Sequence, residues 1–79
     1  MAKQKMFNFE VLDTDSFLSL PLSAQALYFH LNLKADDSGF IGNPRRIVTY
    51  IGAKEDDLNI LIAEDFLVEF DDDSVIIKR

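Results

Sequence analysis

The chain has 79 residues, 48% of them apolar and seven of them Phe, with no Cys and a formal charge of −6 at pH 7. Such a length supports one domain around a single modest core, and the composition excludes a disordered tail, a disulfide framework and a thiolate metal site. The apolar runs are too short to span a membrane and no apolar h-region opens the chain, so the expectation is a cytoplasmic protein with neither signal peptide nor membrane contact.

Residues 1–12 begin with Lys3 and Lys5 and then alternate through Phe7, Asn8, Phe9, Glu10 and Val11, which predicts an extended arm with its apolar side chains on one face. Asp13-Thr14-Asp15 offers caps for a short helix over Ser16 to Leu20, contributing Phe17, Leu18 and Leu20 before Pro21 resets the direction. Leu22 to Ala35 predicts the central helix, with Ser23 available to cap its start. At about 100° per residue, Ala24, Leu27, Tyr28, Leu31 and Ala35 fall on one side, and Leu22, Ala26, Phe29 and Leu33 on the other. Only narrow polar stripes remain, one from Ser23, His30 and Lys34 and one from Gln25 and Asn32. The helix therefore requires cover from two directions. The arm is a candidate for the second cover, in its own subunit or in a partner, which makes Phe7, Phe9, Ala26, Phe29 and Leu33 the candidate self-association residues.

Asp36-Asp37-Ser38-Gly39 carries turn chemistry that stops the central helix, and Phe40-Ile41 is long enough only for an edge strand. Asn43-Pro44 predicts a helix start, with Ile47, Val48 and Ile51 on its buried face, Arg45, Arg46 and Thr49 on its wet face and Gly52 as its C-terminal cap. After a tight connection at Ala53-Lys54, a helix over Glu55 to Glu64 turns Leu58, Leu61 and Ile62 to the core and leaves Ile60 off that face. Glu55, Asp56 and Asp57 suit the positive end of its dipole. Residues 66–70 and 75–78 read as strands around Asp71-Asp72-Asp73-Ser74, a terminal β-hairpin.

This order is that of a winged helix-turn-helix: an α+β fold, mostly α, with an N-terminal extended arm and a C-terminal β-hairpin wing. The whole chain, 1–79, is one domain, with 1–12 the arm and 13–79 the globular part. Residues 44–51 take the first helix of the motif, 55–64 the recognition-helix position and 71–74 the wing tip.

The segments LPLSAQALYFHL, ADDSGFIGNPRRI, YIGAKEDDL, IAEDFLVEF and SVIIKR resemble the N-terminal domain of phage replisome-organiser (replication-initiation) proteins of Gram-positive bacteria, related to DnaD-like primosomal proteins. The resemblance covers about residue 7 onwards. It implies a winged helix that serves in oligomerisation and DNA association during DNA replication initiation. It also implies partners such as a helicase loader or helicase, a phage or prophage origin and the cytoplasm of a bacterial host. Chains of that kind continue past the second wing strand, so this one is expected to be the N-terminal part of a longer protein.

The negative charge is unevenly placed, because residues 54–79 hold three bases against nine acids while residues 1–53 balance. Carboxylates repel phosphate, so the acidic recognition position argues against groove reading, and Asn59 alone among its exposed residues has a common pairing with a base. Candidates for contact with the DNA backbone are Arg45, Arg46, Lys54, Lys78 and Arg79, with Lys3 and Lys5 on the arm. These would position the domain without reading sequence. Tyr50 could stack a base, whereas Tyr28 belongs to the core stripe. The lone His30, the Asp36–Gly39 turn and the Asp71–Asp73 run carry no metal-binding pattern, and no catalytic constellation or cofactor motif is present. The leading function is thus a replication-initiation module acting by assembly and sequence-tolerant DNA association. The alternatives are a pure protein-interaction (dimerisation) module without DNA contact, its acidic last third facing a basic partner, and a winged-helix transcription regulator.

Overall fold

The computed structural model describes residues 9–78, with side chains from residue 11. Their order is α1 (Phe9–Leu12), α2 (Asp15–Leu18), α3 (Leu22–Lys34), β1 (Phe40–Ile41), α4 (Pro44–Ile51), α5 (Glu55–Ala63), β2 (Leu67–Glu69) and β3 (Val75–Ile77). The result is a small α+β fold, about half helical, with a three-stranded antiparallel sheet. That order is compatible with a winged helix.

The extended arm is corrected where the structure describes it, because Phe9–Leu12 is a helical turn. Thr14 sends both its N–H (3.3 Å) and its hydroxyl (2.8 Å) to the Val11 carbonyl, a local closure that an extended run cannot make. Val11 and Leu12 pack, half-buried, against the core. Residues 1–8, with Lys3, Lys5 and Phe7, lie outside the described residues, as does Arg79. Thr14 also caps α2 by accepting from the Phe17 N–H at 3.1 Å. This seats the Phe17 ring edge-on to Tyr28, Phe66 and Phe29, with centroids 5.3, 5.8 and 5.8 Å away. Leu20 is buried too, but Leu18, expected inside, is exposed.

On α3 the side made of Ala24, Leu27, Tyr28, Leu31 and Ala35 is buried as its periodicity predicts. Ser23 does not cap this helix. Pro21 occupies the cap position, and the Ser23 hydroxyl instead donates to Asp57 Oδ1 at 2.8 Å, tying the start of α3 to the start of α5. Gln25 Nε2 donates to the Leu20 and Leu18 carbonyls at 2.9 and 3.3 Å and closes the corner between α2 and α3. Asn32 is buried and donates back to the Tyr28 carbonyl at 2.9 Å. The opposite side differs from the expectation of a second cover: Leu22 is 81% exposed and Leu33 48%, Ala26 is exposed, and Phe29 keeps 37% of its surface open beside Phe17.

The turns follow their residue chemistry. Asp36 Oδ1 accepts from the Ser38 N–H, the Ser38 hydroxyl and the Phe40 N–H at 2.9, 2.8 and 3.0 Å, and Gly39 takes a positive φ of 90°. Asn43 caps α4 by accepting from the Arg46 N–H at 3.3 Å, with Pro44 at the first helical position. Gly52, at φ 75°, ends α4 in a left-handed cap that lets the Ala53 N–H reach the Val48 carbonyl at 3.0 Å. Asp65, at φ 73°, ends α5 in the same way, and Phe66 N–H reaches the Leu61 carbonyl at 2.9 Å. Ile60, expected off the core face of α5, is half-buried against the core just as Ile62 is, because the sheet packs at that end of the helix.

The strand order is β1-β3-β2, with Phe40, Ile76 and Val68 in one cross-strand row and Ile41, Val75 and Glu69 in the next. Ile41, Leu67, Val75 and Ile77 face the helices and are buried, while Phe40, Val68 and Phe70 are exposed on the outer face beside a half-buried Ile76.

The two sides of α3 should respond differently to truncation. Leu27→Ala should cost about 2–5 kcal/mol in urea unfolding, whereas Leu22→Ala should stay within about 0.5 kcal/mol. The Asp36 turn has a pH signature. Its carboxyl lies below the ordinary value of 3.8, chiefly because the Phe40 N–H and then the Ser38 hydroxyl bond its charged form. The turn is therefore fully held above pH 3.8 and loosens as pH falls through the lower folded value, so the Ser38 and Phe40 amide signals should titrate together there by NMR and cease to do so in Asp36→Asn.

Candidate functional site

The recognition-position helix α5 presents Glu55, Asp56, Asn59 and Ala63 to solvent. Asp57 in the same first turn is buried, with one oxygen accepting from Ser23 and the other from the Lys54 N–H at 2.9 Å. The hairpin tip adds exposed Asp71, Asp72 and Asp73. Bonds from the Ser74 hydroxyl and N–H hold the Asp72 carboxyl below its ordinary range. Asn59 is thus accessible but sits on a helix whose leading turn repels phosphate.

The described cations, four of them proposed for backbone contact and Lys34 besides, divide into two groups. Arg45 is occupied: its guanidinium bonds Glu55 at 2.8–3.2 Å and Glu69 at 3.4 Å, and Nη1 lies 3.7 Å from Asp73, an ion pair without a hydrogen bond. These acids raise its pKa further, Glu55 foremost, and one side chain thereby joins α4, α5, β2 and the hairpin tip. Lys78 is likewise paired, with Asp65 at 2.7 Å. Arg46, Lys54 and Lys34 are exposed and form no ion pair among the described residues.

Arg46 has an aromatic neighbour instead. Its guanidinium carbon lies 5.4 Å from the centroid of the Tyr50 ring and Nη2 donates to the Tyr50 hydroxyl at 3.2 Å, while 73% of Tyr50 stays open. Lys34, Asn43, Arg46, Ile47 and Tyr50 line one concavity of about 330 Å³ between the end of α3 and the exposed edge of α4. Sequence patterning singled out Arg46 and Tyr50 but not Lys34, which follows a helical face into a different part of the surface until the turn at Asp36 brings α4 beside it.

Two apolar surfaces complete the inventory. One is the outer side of α3, where Leu22 is exposed with Ala26, Phe29 and Leu33, three of the residues anticipated for self-association; of the other two, Phe7 lies outside the described residues and Phe9 opens α1. The other is the outer sheet face, where Phe40 and Phe70 approach with centroids 6.4 Å apart. That face was missed, although the apolar character of Val68, Phe70 and Ile76 at alternate positions carried the signal. His30 is exposed, and among the described residues no group of three or more His, Cys, Asp or Glu is placed to hold a metal ion.

No family model, curated protein or solved structure matches the chain. No helix among the described residues is long and apolar enough to cross a membrane.

Removing the Arg45 guanidinium would leave Glu55, Glu69 and Asp73 facing one another. Arg45→Gln should therefore lower stability by roughly 1 kcal/mol at low ionic strength, and the difference should shrink in high salt, as read from paired denaturation curves.

Proposed function

We propose that the chain is a winged-helix module that pairs with a second copy of itself through the outer side of α3 and associates with DNA without reading its sequence. This is the assembly role in phage-type replication initiation that its resemblance implies, with a helicase or helicase loader as further partner. The observation that carries it is the chemistry of one surface: from Ser16 to Leu33 the chain contains no Asp, Glu, Lys or Arg, and this stretch supplies the exposed Leu22, Ala26, Phe29 and Leu33 on one side of α3. Two copies of a chain of net charge −6 repel at long range, and an uncharged contact face adds no local repulsion to that. A basic partner would instead be drawn to the carboxylates of α5 and the hairpin tip. An isologous pairing of such a stripe matches apolar surface with apolar surface and leaves the charged faces in solvent.

The DNA half rests on which cations remain open. With Arg45 and Lys78 engaged inside the domain, contact among the described residues would fall to Arg46, Lys54 and Lys34, which suit phosphate contact and not base reading. A sequence-specific regulator would need a basic or amide-rich α5, and Glu55 and Asp56 stand in that place. The same engaged cations favour the second reading, a protein-interaction module with no DNA contact of its own.

Sedimentation velocity across a wide concentration range tests the pairing. The expected outcome is a reversible dimer that Leu22→Glu and Leu33→Glu each convert to monomer with little change in unfolding midpoint, because both positions are already exposed. A wild-type domain that stays monomeric at the highest concentration would sink self-association through α3.

A further inference from the structure

We infer that the concavity formed by Lys34, Asn43, Arg46, Ile47 and Tyr50 is a binding site for single-stranded nucleic acid, with an unstacked base on Tyr50 and the adjoining phosphate between Arg46 and Lys34. The inference rests on the DNA-association part of the proposed function and gives it a site and a preferred form of nucleic acid. Three observations converge on it. First, Arg46 and Lys34 are cations that the fold leaves unpaired among the described residues, on a chain whose other described guanidinium is surrounded by acids. Second, Tyr50 is a large aromatic side chain left 73% open, and the guanidinium lying 5.4 Å from its ring centroid makes a cationic aromatic platform of the two. An acidic peptide would satisfy the charges but leave that platform unused, whereas a nucleotide satisfies both. Third, the half-buried Ile47 gives the concavity an apolar wall, and about 330 Å³ accommodates one nucleotide unit.

Single strands are favoured over duplex for two reasons. A duplex keeps its bases stacked on one another, so the Tyr50 ring finds no open base face there and can meet only base edges, sugar and phosphate. A duplex also packs phosphate charge more densely, at one per about 1.7 Å of axis, and so pays more repulsion against Glu55, Asp56 and the Asp71–Asp73 tip. The acids nearest in sequence to Lys34 do not cancel the site. Asp36 spends its carboxylate on its own turn, and Asp37 does not line the concavity.

The test is titration of a short oligothymidylate, and separately of a duplex of equal length, at low salt. Tyrosine emission gives a direct readout, because the chain has two Tyr and no Trp and Tyr28 is buried. The expected result is tighter binding of the single strand with quenched emission. Tyr50→Ala should weaken binding roughly tenfold, Tyr50→Phe should retain the affinity while removing the quenching, and Arg46→Gln and Lys34→Gln should each reduce the salt slope by about 0.7. Duplex bound as tightly as the single strand, with Tyr50→Ala unaltered, overturns this site and leaves backbone association standing. Polyglutamate displacing the oligonucleotide at equal charge also overturns it, as an unspecific anion cleft. No binding of either nucleic acid by a domain that still dimerises removes DNA association altogether and with it this inference.

Discussion

One buried line of side chains on α3 sets the rest of the molecule. Ala24, Leu27, Tyr28, Leu31 and Ala35 are each almost completely enclosed, and α4, α5 and the aromatic cluster around Phe17 pack around them. The other helices run from four to nine residues, lengths at which an isolated helix does not hold in water. They exist because α3 offers them a surface, and their ends are fixed by caps that cost little: Thr14, Asn43, Gly52 and Asp65. A chain of this size has no second core to fall back on. The opposite side of α3 is consequently left to whatever the domain meets.

Charge in this protein does two separate jobs that a net value conceals. Asp57 joins the starts of α3 and α5, Asp36 and Asp72 close turns, and Glu55, Glu69 and Asp73 converge on Arg45 to hold the hairpin against the helices. Those acids are part of the scaffold. The described basic residues divide the same way, with Arg45 and Lys78 structural and Arg46, Lys34 and Lys54 left outward. The functional field is therefore smaller and more local than −6 suggests: an acidic face on α5 and the tip, an uncharged face on α3 and a basic aromatic concavity beside α4.

Much of this was legible in the sequence because it depends on local chemistry. The span of α3, its buried side, the Asn43-Pro44 start, the Gly52 stop and the hairpin all follow from periodicity and capping over a few residues. What could not be read depends on meetings between distant segments. Ser23 looked like a cap, but Asp57, far along the chain, claims its hydroxyl. Phe9–Leu12 alternates like a strand yet pairs with no strand among the described residues, and the Thr14 hydroxyl closes it into a turn of helix. Arg45 and Arg46 are neighbours with the same formal charge, and about 100° of helical rotation sends one to three carboxylates and the other to a tyrosine. Lys34 enters the candidate site for the same tertiary reason.

The outer face of the sheet has a consequence for how the protein behaves in concentrated solution. Val68 and Phe70 lie open on the same hairpin that carries the exposed Asp71, Asp72 and Asp73, and Phe40 on β1 lines a concavity with Phe70, Asp71 and Asp72, so the apolar patch and its electrostatic guard are neighbours. Above neutral pH the guard keeps these faces apart. Near the isoelectric point of about 4.4 that the composition implies, the net repulsion disappears while the aromatic surface remains, so the sheet face is without its guard there. Acidity in the last third of the chain is, on this view, the condition under which a sheet with a greasy exterior can stay dispersed.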